Sequence, residues 1–411
     1  MGTDQISTDQ ISTEQFELDA RTFLDDHAPK RSQETFVWGQ GSDSVGLFPE
    51  RTPEQEAADL AAARAWAQVV FDAGFGWITG PPAYGGRGLS REYQRIYASL
   101  AADYKTPSMS AYGIGLGMVA PTILAHATDE VKEAYLRPMY RGDIVGCQLF
   151  SEPSSGSDLA SLQTRAVRDG DEWIVNGQKV WTSGAQFSDI GEIICRTDPD
   201  APKHRGLTGF VVDMHAPGVE VRPLRQMTGG ASFNEVFFTD VRIPDSHRLG
   251  DVNGGWTVAL TTLMNERAAI GGGGGGVGLP GSTRLIEMVR ATGRSHDPLV
   301  RQQLATIIIN ERLARYTNLR AMARIAVGQL PGPEMSLSKL SLTANMVRTC
   351  ELVSTVLGPA LVADNGAWGT YAWSEFLLGV PGMRIAGGSD EVLRNIIGER
   401  VLGLPKDPSP K

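Results

Sequence analysis

The sequence predicts a mainly α protein with a central β-domain: an N-terminal helical domain, a middle β-barrel or sandwich, and a C-terminal four-helix bundle. Three observations carry this reading. The chain has 411 residues, more than one hydrophobic core usually organises, so two or three packed units are expected. Apolar residues recur at helical spacing through the first third and again from about residue 254. Between them the texture changes to short runs rich in Val, Ile and Phe, separated by Asn-Gly and Asp-Gly turns.

The elements follow in order. Residues 3–7 and 8–12 both read TDQIS, a polar duplication, and 1–15 is expected to be a flexible N-terminal extension. The N-terminal helical domain is expected over 16–142. It opens with FELDARTFLDDHAP, which ends at Pro29, and continues from the cap and first-turn pair Thr52-Pro53. Further helical patterns cover 89–104, 110–126 and 129–141. The middle β-domain is expected over 143–249, with EWIVNG, DIGEIICRT, LTGFVVDM, VEVRPL and NEVFFTDVRIP as strands. The bundle is expected over 250–405 from patterns at 254–293, 297–328, 334–357 and 389–402, followed by a tail at 406–411.

Composition excludes several classes. Lys and Arg number 38 against 47 Asp and Glu, a formal net charge of −9, which argues against binding a phosphate backbone. The three cysteines, Cys147, Cys195 and Cys350, have neither disulfide-framework nor zinc spacing. Reduced thiols are expected, and no metal site. No run approaches the length of a membrane span, and the acidic N-terminus does not read as a leader, so a cytoplasmic location is expected. The six histidines, at 27, 126, 204, 215, 247 and 296, read as structural or surface residues.

The stretch 147–184, CQLFSEPSSGSDLASLQTRAVRDGDEWIVNGQKVWTSG, carries the chemistry. It places a small-residue turn, two β-rich runs, and a tryptophan followed by two hydroxyl residues within one short segment. Taken singly, SEPSSGSD is a polar turn and Trp181 a core residue. Together they offer an aromatic wall and a row of donors, which a flat, electron-poor ring needs. This stretch resembles the flavin-binding centre of the acyl-CoA dehydrogenase family, and the order of domains resembles that family from about residue 16 to 405. The resemblance implies FAD as cofactor and an oxidoreductase of lipid metabolism, as in fatty acid β-oxidation. It implies that the segment from Gln148 lies against the pyrimidine edge of the flavin, with Phe150 packing on the ring and Ser151 bonding its N1/O2 side, and that Gly156 and Ser157 turn toward the cofactor and the thioester arm. It also implies that Trp181 flanks the ring with Thr182 and Ser183 near N5. Donors on the N1/O2 side stabilise the charge that gathers there on reduction.

Near the C-terminus, RIAGGSDEVLRNIIGERVLGLP resembles the family's closing signature, with Gly388, Ser389 and Glu391 at positions that touch FAD. A helix start suits a diphosphate. Many members carry an Arg-x-x-Phe-Gly run that reaches the diphosphate of a neighbouring subunit. Here the region reads RATGRSHDPLVRQQLA, with Arg294 or Arg290 as the counterpart and no phenylalanine, so a plain surface arginine is an equal reading.

The family's reaction, α,β-dehydrogenation of an acyl-CoA, needs a desolvated carboxylate to take the α-proton and donors on the thioester oxygen. Many members place that carboxylate where this chain has Gly387, which keeps only its backbone N–H as a donor to the substrate. The family's second location, a Glu-Arg pair on the first bundle helix, is matched by Glu266 and Arg267. The resemblance therefore makes Glu266 the base and Arg267 a buttress of the site or the CoA arm. Alone, Glu266 would read as a solvated helix carboxylate. The six glycines at 271–276 cost about 0.5–1 kcal/mol each inside a helix. They suggest either close approach of a wide, branched or ring-bearing acyl group or a helix interrupted by a loop.

The partners implied are an acyl-CoA, an electron-transferring flavoprotein as acceptor, and a second subunit. A homodimer or homotetramer is expected, with a mixed α2β2 assembly as the alternative. Two rivals stand beside the dehydrogenase: a flavin oxidase or monooxygenase of the same fold, distinguished by fast reoxidation in air, and a non-catalytic partner subunit, distinguished by failure to bind FAD.

Overall fold

A computed structural model describes residues 11–32, 36–48, 51–271, 281–326 and 336–406, with the side chains of 267–271, 322 and 324–326 outside the description. The first helix, α1 (Thr13–His27), begins three residues before the expected Phe16 because the Ser12 side chain accepts from the Gln15 N–H and caps it. Residues 11–15 therefore do not belong to an extension, and 1–10 lie outside the described residues. Next comes α2 (Pro53–Asp72), where Thr52 and Gln55 close a capping box ahead of Pro53. Then follow α3 (Arg91–Ala101), α4 (Ala120–His126) and α5 (Asp129–Arg141). The pattern at 110–126 is not one helix. A 3₁₀ turn at Ser110–Tyr112 and a π-helical turn at Gly115–Val119 precede α4, and such π turns cluster at functional sites.

The middle segment forms one connected eight-stranded sheet. Its strands are β1 (Gly146–Leu149), β2 (Arg165–Asp169), β3 (Glu172–Ser183), β4 (Ile190–Arg196), β5 (Leu207–Asp213), β6 (Val219–Leu224), β7 (Phe233–Pro244) and β8 (Arg248–Leu249). The order is β6-β7-β3-β2-β4-β5-β8, with β1 parallel to β4. Two clusters divide the sheet. Cys147, Leu149, Ile193 and Phe210 fill one. Phe150, Ile190 and Ile194 join the other, with Ile123 of α4, Met139 of α5 and Val258 from the first helix after the sheet. That second cluster cements the sheet to helices on both sides of it in sequence, and the candidate site lies along it.

The C-terminal part contains α6 (Gly255–Gly271), α7 (Ser282–Ala291), α8 (Pro298–Ala326), α9 (Ser336–Leu357), α10 (Ser374–Ile385) and α11 (Asp390–Arg400). Two differences refine the expected four long helices. The pattern at 254–293 does not run as one helix, because Gly281 caps α7 in an extended conformation. Helix α10, with Pro381 inside it, was not expected. The glycine run beyond Gly271 lies outside the described residues. A strap at 36–48 closes over this bundle: Val45 is buried in its core, the Trp368 indole donates to the Gly41 carbonyl at 2.9 Å, and Arg284 donates to the carbonyls of Asp43 and Ser44. Among the described residues no helix is long and apolar enough to cross a membrane.

Candidate active site

Strand β1 delivers the first half of the site. Phe150 is buried, and its carbonyl accepts from the Lys179 ammonium at 3.0 Å. The Ser151 carbonyl accepts from the Val180 N–H at 2.8 Å. Glu152 closes the connection. One carboxylate oxygen accepts from Lys179 at 2.8 Å and from the Thr164 N–H at 2.9 Å, the other from the Gln163 N–H at 2.6 Å. Lys179 is wholly buried. Burial pushes the Glu152 carboxyl up, but the Lys179 charge and the converging donors outweigh it and hold the group below the usual carboxylate range. Burial pulls the Lys179 ammonium down, with Glu152 opposing. Beyond this clamp the Glu152 and Ser155 backbones bond reciprocally at 3.0 and 3.1 Å. Gly156 and Ser157 are thereby presented at the surface, and a Cβ on Gly156 would meet nothing within 4 Å.

Strand β3 delivers the second half through a bulge. Lys179 pairs with Val236 and Thr182 with Asn234, so two residues of β3 face one of β7. The extra residue frees the Val180 N–H for Ser151 and throws Trp181 outward. Trp181 has φ 62° and is 60% exposed, a conformation that a bulky side chain adopts only where its surroundings impose it. Its indole meets Phe233 edge-on with centroids 6.1 Å apart, and Phe233 meets Phe48 of the strap at 5.3 Å. Next to it, the Thr182 hydroxyl is buried without a partner, and so is that of Ser155. Asn234 Nδ2 donates to the Thr182 carbonyl at 3.1 Å. A rigid exposed indole beside an unpartnered buried hydroxyl fits a flat heterocycle bearing acceptors on its edge. Gln148 of β1 and Ser183 of β3 are half-buried, as is Ser151 just after β1.

Helix α6 carries Glu266, half-buried, and Arg267, whose side chain lies outside the described residues. One turn earlier, Thr262 donates to the buried Glu192 carboxyl of β4 at 2.6 Å and meets the Thr122 hydroxyl of α4 at 2.9 Å. A second bond at 2.8 Å joins His126 Nε2 to Thr261, so α4 and α6 are held side to side. Burial lowers the His126 pKa.

The turn before α11 is built differently. Gly387 and Gly388 have φ 67° and 92°, and Ser389 caps α11 by accepting from the Val392 N–H. Buried Lys339 of α9 donates to the carbonyls of Gly388 at 2.9 Å and Arg384 at 3.0 Å. Asp390 accepts from Thr343 at 2.8 Å and from Arg384 at 2.8 Å, and it pairs with Lys339. Burial pushes Asp390 up, but these donors outweigh it and leave it below its usual range. Glu391 is exposed. Arg294 pairs with Asp297 at 2.7 Å and reaches the Thr355 carbonyl, while Arg290 pairs with Glu287.

The structure thus joins 148–157 to 179–183 directly. Among the described residues, no hydrogen bond, ion pair or ring contact joins either to the 387–391 turn. That turn hangs on α9, which packs against α6. The residues that sequence reasoning passed over are Glu152, Lys179, Glu192, Lys339 and Asp390. The available signal was a charge inside an otherwise apolar run, as in IGEIIC, weighed against the rule that strand charges usually face water. Burial pushes the Cys147 and Cys195 thiols up to about 12, so neither is a nucleophile at neutral pH. Among the described residues no group of three or more His, Cys, Asp or Glu could hold a metal ion.

Profiles of a single family match three parts of the chain: acyl-CoA dehydrogenase N-terminal domain over 47–143, middle domain over 147–241 and C-terminal domain over 253–402. The chain is similar to acyl-CoA dehydrogenase IpdE1 of Mycobacterium tuberculosis, 37% identical over 364 residues covering 86% of this chain and 91% of that one. It is 40% identical over 329 residues to acyl-CoA dehydrogenase FadE34 of the same organism; the match covers 79% of this chain but 44% of that protein, so the chain spans less than half its length. Among solved structures it resembles the Tcur3481-Tcur3483 steroid ACAD, with TM-score 0.70 and 26% identity over 96% of this chain and 98% of that one. It also resembles the ChsE4-ChsE5 complex from Mycobacterium tuberculosis, with TM-score 0.69 and 27% identity over 98% and 100%.

Proposed function

The chain belongs to the acyl-CoA dehydrogenase family, enzymes that dehydrogenate acyl-CoA with FAD, and on that footing we propose that Glu266 is the base that takes the α-proton. The observation that carries this is the pairing of a glycine at 387, where many members have their carboxylate, with a half-buried carboxylate on α6. FAD, when bound, supplies the acceptor for the hydride leaving the β-carbon. The chain's own residues do the rest. Trp181 and Phe150 flank the ring, and the hydroxyls of Ser151, Thr182, Ser183 and Ser157 donate along its edge. The Gln148, Gly156, Gly388, Ser389 and Glu391 positions border it, with Arg294 toward the diphosphate. The Gly387 N–H donates to the thioester oxygen, which stabilises the charge that develops as the α-proton leaves. Arg267 steadies the CoA arm.

The substrate proposed is a bulky, ring-bearing acyl-CoA. The glycine run at 271–276 supports it, as does likeness to a protein described as a steroid ACAD. Electrons pass to an electron-transferring flavoprotein. The working form is an oligomer, either of one chain or mixed, the latter supported by likeness to the ChsE4-ChsE5 complex. A thioester screen that follows bleaching of the flavin band under anaerobic conditions, run beside Glu266→Gln, tests the reading. The variant is expected to bind substrate without bleaching. Full bleaching by Glu266→Gln would move the base elsewhere.

A further inference from the structure

The Glu192 side chain is fully buried in the middle of β4, and among the described residues no cation pairs with it. One carboxyl oxygen meets Thr262 at 2.6 Å, and the other has no partner. An uncompensated buried carboxylate is expensive and persists in a fold only if it is neutral or serves a purpose. We propose that Glu192 is a positioning residue for the dehydrogenation: held as a neutral acid, it fixes Thr262 and with it the turn of α6 from which Glu266 reaches the substrate. This rests on the reading of Glu266 as base.

The geometry gives the proton a direction. If Glu192 carries it, the acid O–H donates to Thr262. The Thr262 hydroxyl is then free to donate to Thr122, at 2.9 Å, and the Thr122 hydroxyl donates to the Met118 carbonyl at 2.8 Å. Every hydroxyl has a donor and an acceptor role, and the run ends on a carbonyl of the π-helical turn. A charged Glu192 would force Thr262 to donate back to it, and Thr122 would lose the hydrogen bond it accepts. Thr262 and Glu266 are four residues apart on α6 and share a face, so a tilt at the first moves the second.

Among the described residues, the surroundings offer no charge to balance an ionised Glu192. Alongside it β1 brings Gln148 and β5 brings Val211. Strand β2 meets β4 only through Arg165, opposite Arg196 at the far end. Helix α4 contributes His126, which is bonded to Thr261 and kept neutral by burial. On α6 the acid is Glu266 itself, and the side chain of its neighbour Arg267 lies outside the described residues. Accordingly, burial pushes Glu192 up to about 8, so the acid is neutral at pH 7 and ionises on the alkaline side.

The test compares the FAD-loaded wild type with Glu192→Gln, Glu192→Leu and Glu266→Gln, following flavin reduction by a saturating acyl-CoA from pH 6 to 9.5. Wild type is expected to lose at least about tenfold in reduction rate above pH 8, and Glu192→Gln, which cannot ionise, to lack that limb. Glu192→Leu should reduce flavin about tenfold more slowly than wild type near pH 7 and show no alkaline limb, while KM changes less than about twofold. An alkaline limb shared by wild type and Glu192→Gln would overturn the proposal, as would its absence from wild type. Should Glu192→Leu fail to fold, the Glu192→Gln profile alone decides. Glu266→Gln separates the two readings: full reduction by that variant sinks the assignment of the base, whereas a dead Glu266→Gln beside identical wild-type and Glu192→Gln profiles sinks only the role of Glu192.

Discussion

Lys179 reaches across from β3 to hold the Phe150 carbonyl at 3.0 Å and the Glu152 carboxylate at 2.8 Å, and this clips the strand bearing Trp181 and Thr182 to the segment bearing Ser151. Lys179→Met would leave Glu152 buried without its cation, held only by the Gln163 and Thr164 N–H groups. Losing one partner of such a pair costs about 3–5 kcal/mol. Urea unfolding should show that loss, and the purified variant should carry less FAD than wild type.

Trp181 sits in the left-handed region, which costs a non-glycine residue roughly 1–2 kcal/mol. Because the side chain is largely exposed, little packing is lost with it. Trp181→Gly is therefore expected to leave the apoprotein as stable as wild type or up to about 1 kcal/mol more so, while FAD dissociates faster. A large fall in unfolding free energy would mean that the indole holds the fold rather than the ligand.

Gly387 also has a positive φ, 67°, so Glu at this position meets backbone strain of about 1–2 kcal/mol. Removal of a general base lowers rates about 10²–10⁴-fold. In a Glu266→Gln background, Gly387→Glu should recover part of that loss, read as flavin bleaching, despite a lower melting temperature. No recovery would argue that the two places do not face the same carbon.

Asp390 is held below its usual range by Arg384, Thr343 and Lys339. A depressed carboxylate stabilises the fold above its unfolded pKa of about 3.9, and that contribution disappears as pH falls through the folded value. Asp390→Asn should therefore flatten the loss of stability below pH 4. Lys339→Met should raise KM for the thioester, since the turn at 387–389 loses the ammonium that holds the Gly388 carbonyl.

Glu192 has the opposite sign. Its folded pKa lies above the unfolded one, so its contribution is complete below about pH 4.5 and declines as pH rises toward about 8. At about 1.4 kcal/mol per pKa unit, the decline is on the order of 4 kcal/mol. Urea titrations of wild type at pH 5 and pH 8.5 should differ by a large part of that, and Glu192→Gln by much less.

The sequence made the architecture legible because periodicity changes twice, and it marked the candidate flavin segment because tryptophan and hydroxyls fall together at 181–183. What it hid were exceptions to local rules. The bulge at Trp181 is invisible because alternation in VNGQKVWTS looks continuous, and its position is set by pairing with β7. Lys179 and Glu152 lie far enough apart in sequence that neither announces the other, and each reads as a solvent-facing charge. Helix α10 was overlooked because FLLGVPGM contains the residues that usually break helices, and tertiary burial of Phe376 and Val380 overrides them. At 254–293 the sequence leaves open both an unbroken helix and one interrupted by a loop, because glycine-rich sequence carries no signal of where α7 begins.

The strap at 36–48 bears on how the chain assembles. Trp368 bonds to Gly41 across 327 positions, and Arg284 to Ser44 across 240, so the bundle cannot cover its core until segments far apart in the polypeptide meet. Such long closures are slow. On the ribosome the strap emerges well before its receptor, with Val45, Leu47 and Phe48 uncovered in the interval, which makes this segment the natural place for a chaperone to hold or for nascent chains to stick together.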